Sequence, residues 1–196
     1  MENILKIIFL ITTISSSISI LLGRNWRWVL IFLGIQYFGI FWFVQGTWPL
    51  SLAIIKMIAG LIVCIILAFY AEEYDDFALQ DRSWPQGVIF RLFAAGLIVI
   101  STLAVSVQAA YWMGIPDTMA MWIGLFLIGN GMLQLGITTQ TQKVIVALLT
   151  LLSGFEIIYA FIETSSLVAA LLVLINIGLA LIGVYLYLMD QRERSI

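Results

Sequence analysis

Two ionisable residues, Lys56 and Glu156, lie inside long apolar segments of the chain. A charge near the centre of a membrane helix costs about 2.5–3.5 kcal/mol on insertion scales, so it needs a partner, water or a function. Burial disfavours the charged form of a carboxyl and of an amine alike, and either group could then take up or release a proton. These two residues are therefore the candidates for a proton path.

Each of the two residues also has a simpler interpretation. Lys56 lies about 9 Å from the nearer end of its segment, so its long side chain could snorkel to the interface. Glu156 has a shorter side chain, and it could be a protonated, hydrogen-bonded carboxyl without a transport role. A direct pair between Lys56 and Glu156 is compatible with the sequence but cannot be deduced from it.

Four amide side chains lie in the apolar segments as well, and they are candidates for lining a water path: Gln36, Asn130, Gln134 and Asn176. Gln36 lies at a depth similar to that of Lys56 and Glu156. Asn130 and Gln134 are four residues apart, which places them on one face of a helix. Hydrogen bonds between closely packed helices are the alternative, because several glycines lie nearby.

Seven predicted membrane-spanning helices position these residues. The chain has 196 residues, of which 63% are hydrophobic and 10% charged, and its mean hydropathy is +1.11. A spanning helix needs about 20 apolar residues. We therefore expect an all-α integral membrane protein, a single membrane domain over 1–196, with spans at about 4–22, 28–48, 50–70, 88–107, 118–137, 144–162 and 166–189.

The composition excludes several kinds of site. There is no His and only one Cys, Cys64, so haem, iron–sulfur, zinc and Ser-His-Asp chemistry lack their ligands or bases. The net charge of -2 gives no nucleic-acid footprint. No cleavable signal peptide is evident. We expect no cofactor, no metal and no catalytic residue, and hence no enzyme activity of this chain by itself.

Lys and Arg residues predict the orientation of the chain in a cell inner (plasma) membrane. Cytoplasmic loops carry an excess of these residues. With the N-terminus outside, only Lys6 lies on the outer side. The cytoplasmic side, which then includes the C-terminus, holds seven: Arg24, Arg27, Arg82, Arg91, Lys143, Arg192 and Arg194.

The longest connection, 71–87, is an acidic loop on the predicted cytoplasmic side. A solvated loop with a short interfacial helix is the simple interpretation, and a docking surface for a basic partner is the alternative. The candidate docking residues are Glu72, Glu73, Asp75 and Asp76. An EF-hand calcium site is not indicated, because its ligand spacing is missing.

The first and last three spans show a weak internal repeat. Residues 33–38 can be laid over 153–158, and 55–61 over 173–179. We therefore divide the domain into an N-terminal half (1–70), the acidic loop (71–87), a linker helix with an outer loop (88–117), a C-terminal half (118–189) and a tail (190–196). Such a parallel repeat would be related by an axis along the membrane normal.

The C-terminal half resembles a known family of three-helix membrane subunits. The segments LLSGFEI (151–157) and IGLAL (177–181) look like those of the K subunit of complex I and the C subunit of Mrp-type cation/proton antiporters. In that family the middle helix carries a membrane-embedded glutamate, a role that the resemblance gives to Glu156. A second glutamate is common in the third helix, but Leu174 stands at the matching position here.

The whole chain more closely resembles the seven-helix E-type membrane subunit of hydrogenase-4-like complexes, with Lys56 in its third helix. The resemblance implies a subunit that moves protons or cations, coupled to a partner's redox or antiport activity. It implies antiporter-like membrane subunits as partners, with a redox or hydrogenase arm. A free-standing small transporter or channel, and a structural or assembly subunit without a proton path, are the alternatives.

Overall fold

Seven α-helices make up the computed structural model, which describes residues 2–69, 87–138 and 140–194. They are α1 (Glu2–Leu22), α2 (Trp26–Val44), α3 (Leu50–Phe69), α4 (Val88–Met113), α5 (Thr118–Ile137), α6 (Thr141–Ile162) and α7 (Ser166–Arg194). All seven are long and apolar enough to cross a membrane. No strand occurs in these described ranges. The predicted class, an all-α membrane protein with seven spans, is confirmed.

Several helix boundaries differ from the predicted spans. Helix α4 continues past residue 107 to Met113, because no helix breaker occurs before Gly114. Gly114 ends the helix in the left-handed conformation, with φ at 67°, which glycine adopts without steric cost. Helix α2 ends at Val44 instead of residue 48, since a turn precedes Pro49.

Polar side chains fix the ends of the helices at two levels of the bundle. At the end that holds Lys6, its Nζ lies 3.1 Å from Oδ2 of Asp117, and the Trp48 indole donates to the Glu163 carbonyl at 3.2 Å. We call this the Lys6 end. At the opposite end, Arg91 donates to the Leu21 carbonyl at 3.4 Å. We call this the Arg24 end.

The helices are arranged in two adjacent rows. Neighbouring helices pack within the rows α1–α2–α3 and α5–α6–α7. Between the rows, α1 contacts α5, α2 contacts α6 and α3 contacts α7. This order is compatible with the predicted repeat, which stays a prediction. Helix α4 packs on the outside, chiefly against α5, and 6% of its spanning window is buried.

The tightest packing joins α5 to α6 through glycines. A Cβ atom on Gly131 would lie 2.7 Å from the Leu151 nitrogen and 2.9 Å from the Ala147 carbonyl oxygen. Gly124 and Gly154 likewise lie against each other's backbone. Small residues let helices approach closely in lipid, where association depends on van der Waals contact. Helix α6, the most buried of the spans, therefore lies closely packed at the centre of the bundle.

The acidic loop that carries the predicted docking residues, Glu72, Glu73, Asp75 and Asp76, lies outside the described residues.

Candidate functional site

Helix α3 brings Lys56 into the interior of the bundle. Its buried residues recur at helical spacing and define one inward face: Ala53, Lys56, Ala59, Gly60, Val63 and Leu67. The neighbours of Lys56 on this face are small or apolar, and the lysine is 4% exposed. It does not extend to the surface, so the snorkelling interpretation is wrong.

Helix α6 places Glu156 opposite Lys56. Glu156 is fully buried, and its Oε1 forms an ion pair with Nζ of Lys56. Each residue is six positions from the end of its helix at the Lys6 end, or about 9 Å along the axis. Helix α3 packs chiefly against α2 and α7. The long lysine side chain therefore spans the distance to α6.

Asn176 of α7 completes the cluster. Its Nδ2 donates to the same Oε1 of Glu156 at 2.8 Å, and it is 1% exposed. One carboxylate oxygen thus has two partners, the ammonium group of Lys56 on α3 and the amide of Asn176 on α7. The other, Oε2, is buried without a hydrogen-bond partner among the described residues. We call Lys56, Glu156 and Asn176 the Glu156 cluster.

The arrangement can exchange a proton internally. With Lys56 protonated and Glu156 ionised, the cluster carries no net charge, and transfer of one proton gives an equally neutral amine and carboxylic acid. Neutrality is the condition under which ionisable groups persist inside a membrane. The unpartnered Oε2 is the atom at which a further proton could arrive.

Tyr37 and Ser153 extend the polar region beside the cluster, and sequence reasoning missed both. Tyr37 of α2 lies near Glu156 and near Ser153, which is one helical turn before Glu156 on α6. Both residues are buried, at 2% and 0% exposure. The sequence could have indicated Ser153, because residues three positions apart, such as Ser153 and Glu156, lie on the same face of a helix.

Gln36 of α2 lies in the same row of helices as Lys56, but it does not form a hydrogen bond with the Glu156 cluster. It is fully buried, and both of its amide atoms lack a partner among the described residues. Helix α2, which carries it, packs against α6. A buried amide without partners is a natural place for water, because each polar atom costs free energy when it is left without a hydrogen bond.

The other two predicted polar residues lie away from the cluster. Asn130 of α5 donates to the Ser17 hydroxyl at 2.6 Å and to the Ser17 carbonyl at 3.1 Å. Ser17, on the serine-rich helix α1, therefore bonds to a neighbouring helix. Gln134 lies one turn further toward the Arg24 end. The six predicted site residues thus do not form one continuous hydrogen-bonded chain.

Leu174, at the position where the suggested resemblance would place a second glutamate, does not face the cluster. It is 69% exposed, whereas Asn176, two residues on, is buried against Glu156. Two positions on a helix differ by about 200° in direction. The polar contact from α7 therefore comes from Asn176.

Comparison of the chain with protein-family models, curated proteins and solved structures gives no match. Within the described ranges, no group of three or more His, Cys, Asp or Glu side chains is placed to hold a metal ion. The site is therefore defined by its own geometry.

Proposed function

We propose that the protein is a membrane subunit of an ion-translocating assembly of the complex-I or Mrp type, and that the Glu156 cluster is its proton-handling group. The carrying observation is the ion pair of Lys56 and Glu156, buried within helices that can span a membrane. A buried ion pair often adds no net stability compared with well-packed apolar side chains. Two ionisable groups at this depth favour a role in moving protons.

The proposed step begins at Oε2 of Glu156. A proton that arrives there neutralises the carboxylate and removes the counter-charge of Lys56. An unpaired ammonium inside the membrane is costly, so Lys56 then releases its proton toward the opposite side. Asn176 holds Oε1 in place throughout. Transfer of the proton from Glu156 to the neutral amine of Lys56 then restores the ion pair and completes the cycle, so that one proton crosses the cluster in each cycle.

The resemblance of LLSGFEI and IGLAL to K-type subunits supports this proposal from the sequence. In the proposed assembly, antiporter-like membrane subunits are the partners, and a redox or hydrogenase arm supplies the energy. In this proposal the protein is located in the plasma membrane, with its N-terminus outside and its C-terminus in the cytoplasm. The Arg24 end then faces the cytoplasm, in keeping with the distribution of Lys and Arg.

The first test is extraction of native membranes in mild detergent, followed by mass spectrometry of what co-purifies. Recovery with antiporter-like membrane subunits would support the proposal. Recovery alone, or as a homo-oligomer that conducts protons in liposomes, would overturn it in favour of a free-standing transporter.

The second test places the purified assembly in liposomes and follows proton movement with a pH-sensitive dye. We expect Glu156→Gln and Lys56→Met each to lower coupled proton movement by at least about tenfold. The matched control is Lys6→Met with Asp117→Asn, because it removes a lysine–carboxylate pair at the helix ends. If the Glu156→Gln variant assembles properly and its proton movement is unchanged, the role of Glu156 is only structural.

A further inference from the structure

A recess opens at the Arg24 end of the bundle, well away from the Glu156 cluster. It is lined by residues of five helices. Two cationic side chains line it, Arg91 of α4 and Lys143 of α6, together with Gln134 of α5. The rest of its wall is mostly apolar, with Leu21, Val29 and Val146 among the contributing residues.

The polar side chains of this recess are mainly hydrogen-bond donors. Gln134 is 6% exposed, and its Nε2 is buried without a partner among the described residues. Arg91 donates to the Leu21 carbonyl, which fixes the guanidinium against the wall. Lys143 lies in the first turn of α6, where the helix dipole favours an anion.

The surroundings of the recess are apolar. Helix α4 starts beside it, and the residues around Arg91 point outward: Val88 is 54% exposed, Ile89 85% and Leu92 52%. A ligand with an anionic, oxygen-rich head and an apolar tail matches both parts. A carboxylate metabolite would leave the apolar flank unused. Basic recesses between membrane helices commonly hold phospholipid head groups.

We propose that this recess binds the phosphate group of an anionic phospholipid. Arg91, Lys143 and Gln134 donate hydrogen bonds to the phosphate oxygens, and an acyl chain lies along the exposed side of α4. The lipid would then hold the outlying helix α4 against α5 and α6. This site is independent of the proposed proton path.

The test measures binding of phosphatidylglycerol to the purified protein in detergent by native mass spectrometry and by thermal stabilisation. Phosphatidylcholine is the zwitterionic control, and inorganic phosphate is the control for a free anion. We expect phosphatidylglycerol to bind preferentially, and the double change Arg91→Gln with Lys143→Gln to weaken it by at least about tenfold. Arg192→Gln, which removes an exposed charge at the same end of the helix bundle, should leave binding unchanged.

Gln134→Leu provides a test that keeps both charges and a similar side-chain volume, for use if the double variant does not fold. It should weaken phosphatidylglycerol binding and leave binding of phosphatidylcholine as it is. Equal binding of the two lipids, or wild-type binding by both sets of variants, would overturn the proposal. Protection by inorganic phosphate alone, without preference for the lipid, would show a free-phosphate site instead and overturn the lipid assignment.

Discussion

Lys56 of α3 and Glu156 of α6 form an ion pair inside the bundle, although their helices belong to different rows. The pair joins the N-terminal and C-terminal halves of the chain at a depth where neither charge could remain alone. Asn176 of α7 donates to the same carboxylate oxygen at 2.8 Å. Three helices therefore meet at one buried oxygen atom, and the proposed activity of the protein depends on that contact.

Removal of one member of the pair should destabilise the protein more than removal of both. Lys56→Met leaves Glu156 buried without its counter-charge, and loss of one partner of a buried pair costs about 3–5 kcal/mol. The double change Lys56→Met with Glu156→Leu removes both charges and should recover part of this loss. Thermal unfolding in detergent, analysed as a double-mutant cycle, measures the coupling. Strictly additive effects would show that the two residues do not interact.

Asn176→Leu should weaken the cluster without changing its charge. The hydrogen bond from Nδ2 to Glu156 is charge-assisted, and such bonds contribute about 1.5–3 kcal/mol. We expect a lower unfolding temperature and slower proton movement in the liposome assay. The control is Leu174→Asn, which puts an amide on the exposed side of the same helix. Equal effects of the two substitutions would contradict a specific role for Asn176.

Two glycine-to-alanine substitutions on α5 should distinguish the effect of close helix packing on stability from the effect of helix propensity. Gly131→Ala places a Cβ atom 2.7 Å from the Leu151 nitrogen, so α5 and α6 must move apart. Gly136→Ala on the same helix meets nothing within 4 Å, and it should be neutral or slightly stabilising, because alanine is the better helix former by about 1 kcal/mol. The measurement is the unfolding temperature of each variant in detergent, and we expect a lower value for Gly131→Ala than for Gly136→Ala. A similar result for both would show that α5 and α6 are not in tight contact at Gly131.

Asp117 should contribute mainly as a helix cap. Its Oδ1 accepts from the Met119 and Ala120 nitrogens at 3.0 and 3.2 Å, and its Oδ2 pairs with Lys6. Asp117→Ala should cost about 1 kcal/mol through loss of the cap. Lys6→Met should cost less, since partly exposed pairs contribute about 0–1 kcal/mol. Asp117→Asn, which keeps a capping oxygen, should resemble Lys6→Met; resemblance to Asp117→Ala instead would favour the charge over the cap.

The orientation of the chain can be tested by labelling introduced cysteines. Cys64 is first replaced by Ser, because it is the only cysteine. Asn25→Cys lies between α1 and α2 at the Arg24 end, and Gly46→Cys lies between α2 and α3 at the Lys6 end. An impermeant maleimide added to intact cells should label Gly46→Cys only. Labelling of Asn25→Cys alone would invert the predicted topology.

The sequence by itself determined the seven spans and the residues that deserved attention. Apolar segments of membrane-spanning length, interrupted by Gly, Pro and charges, predict helices because lipid leaves the backbone no other way to satisfy its hydrogen bonds. The same reasoning identified Lys56 and Glu156, since a charge in such a segment is costly wherever the helix lies. It also placed Asn176 inside a span, although not next to a particular partner.

Only the tertiary structure decided which of these polar residues meet. The side of a helix that faces the interior depends on the neighbours against which the helix packs. A helix that is apolar on nearly all sides has little periodic pattern from which this side could be predicted. Asn176 binds Glu156, whereas Asn130 binds Ser17 of α1, which is 113 residues earlier in the sequence. Tyr37 and Ser153 lie beside the cluster because α2 packs against α6. This contact is between the two rows of helices, so the local sequence of either helix does not reveal it.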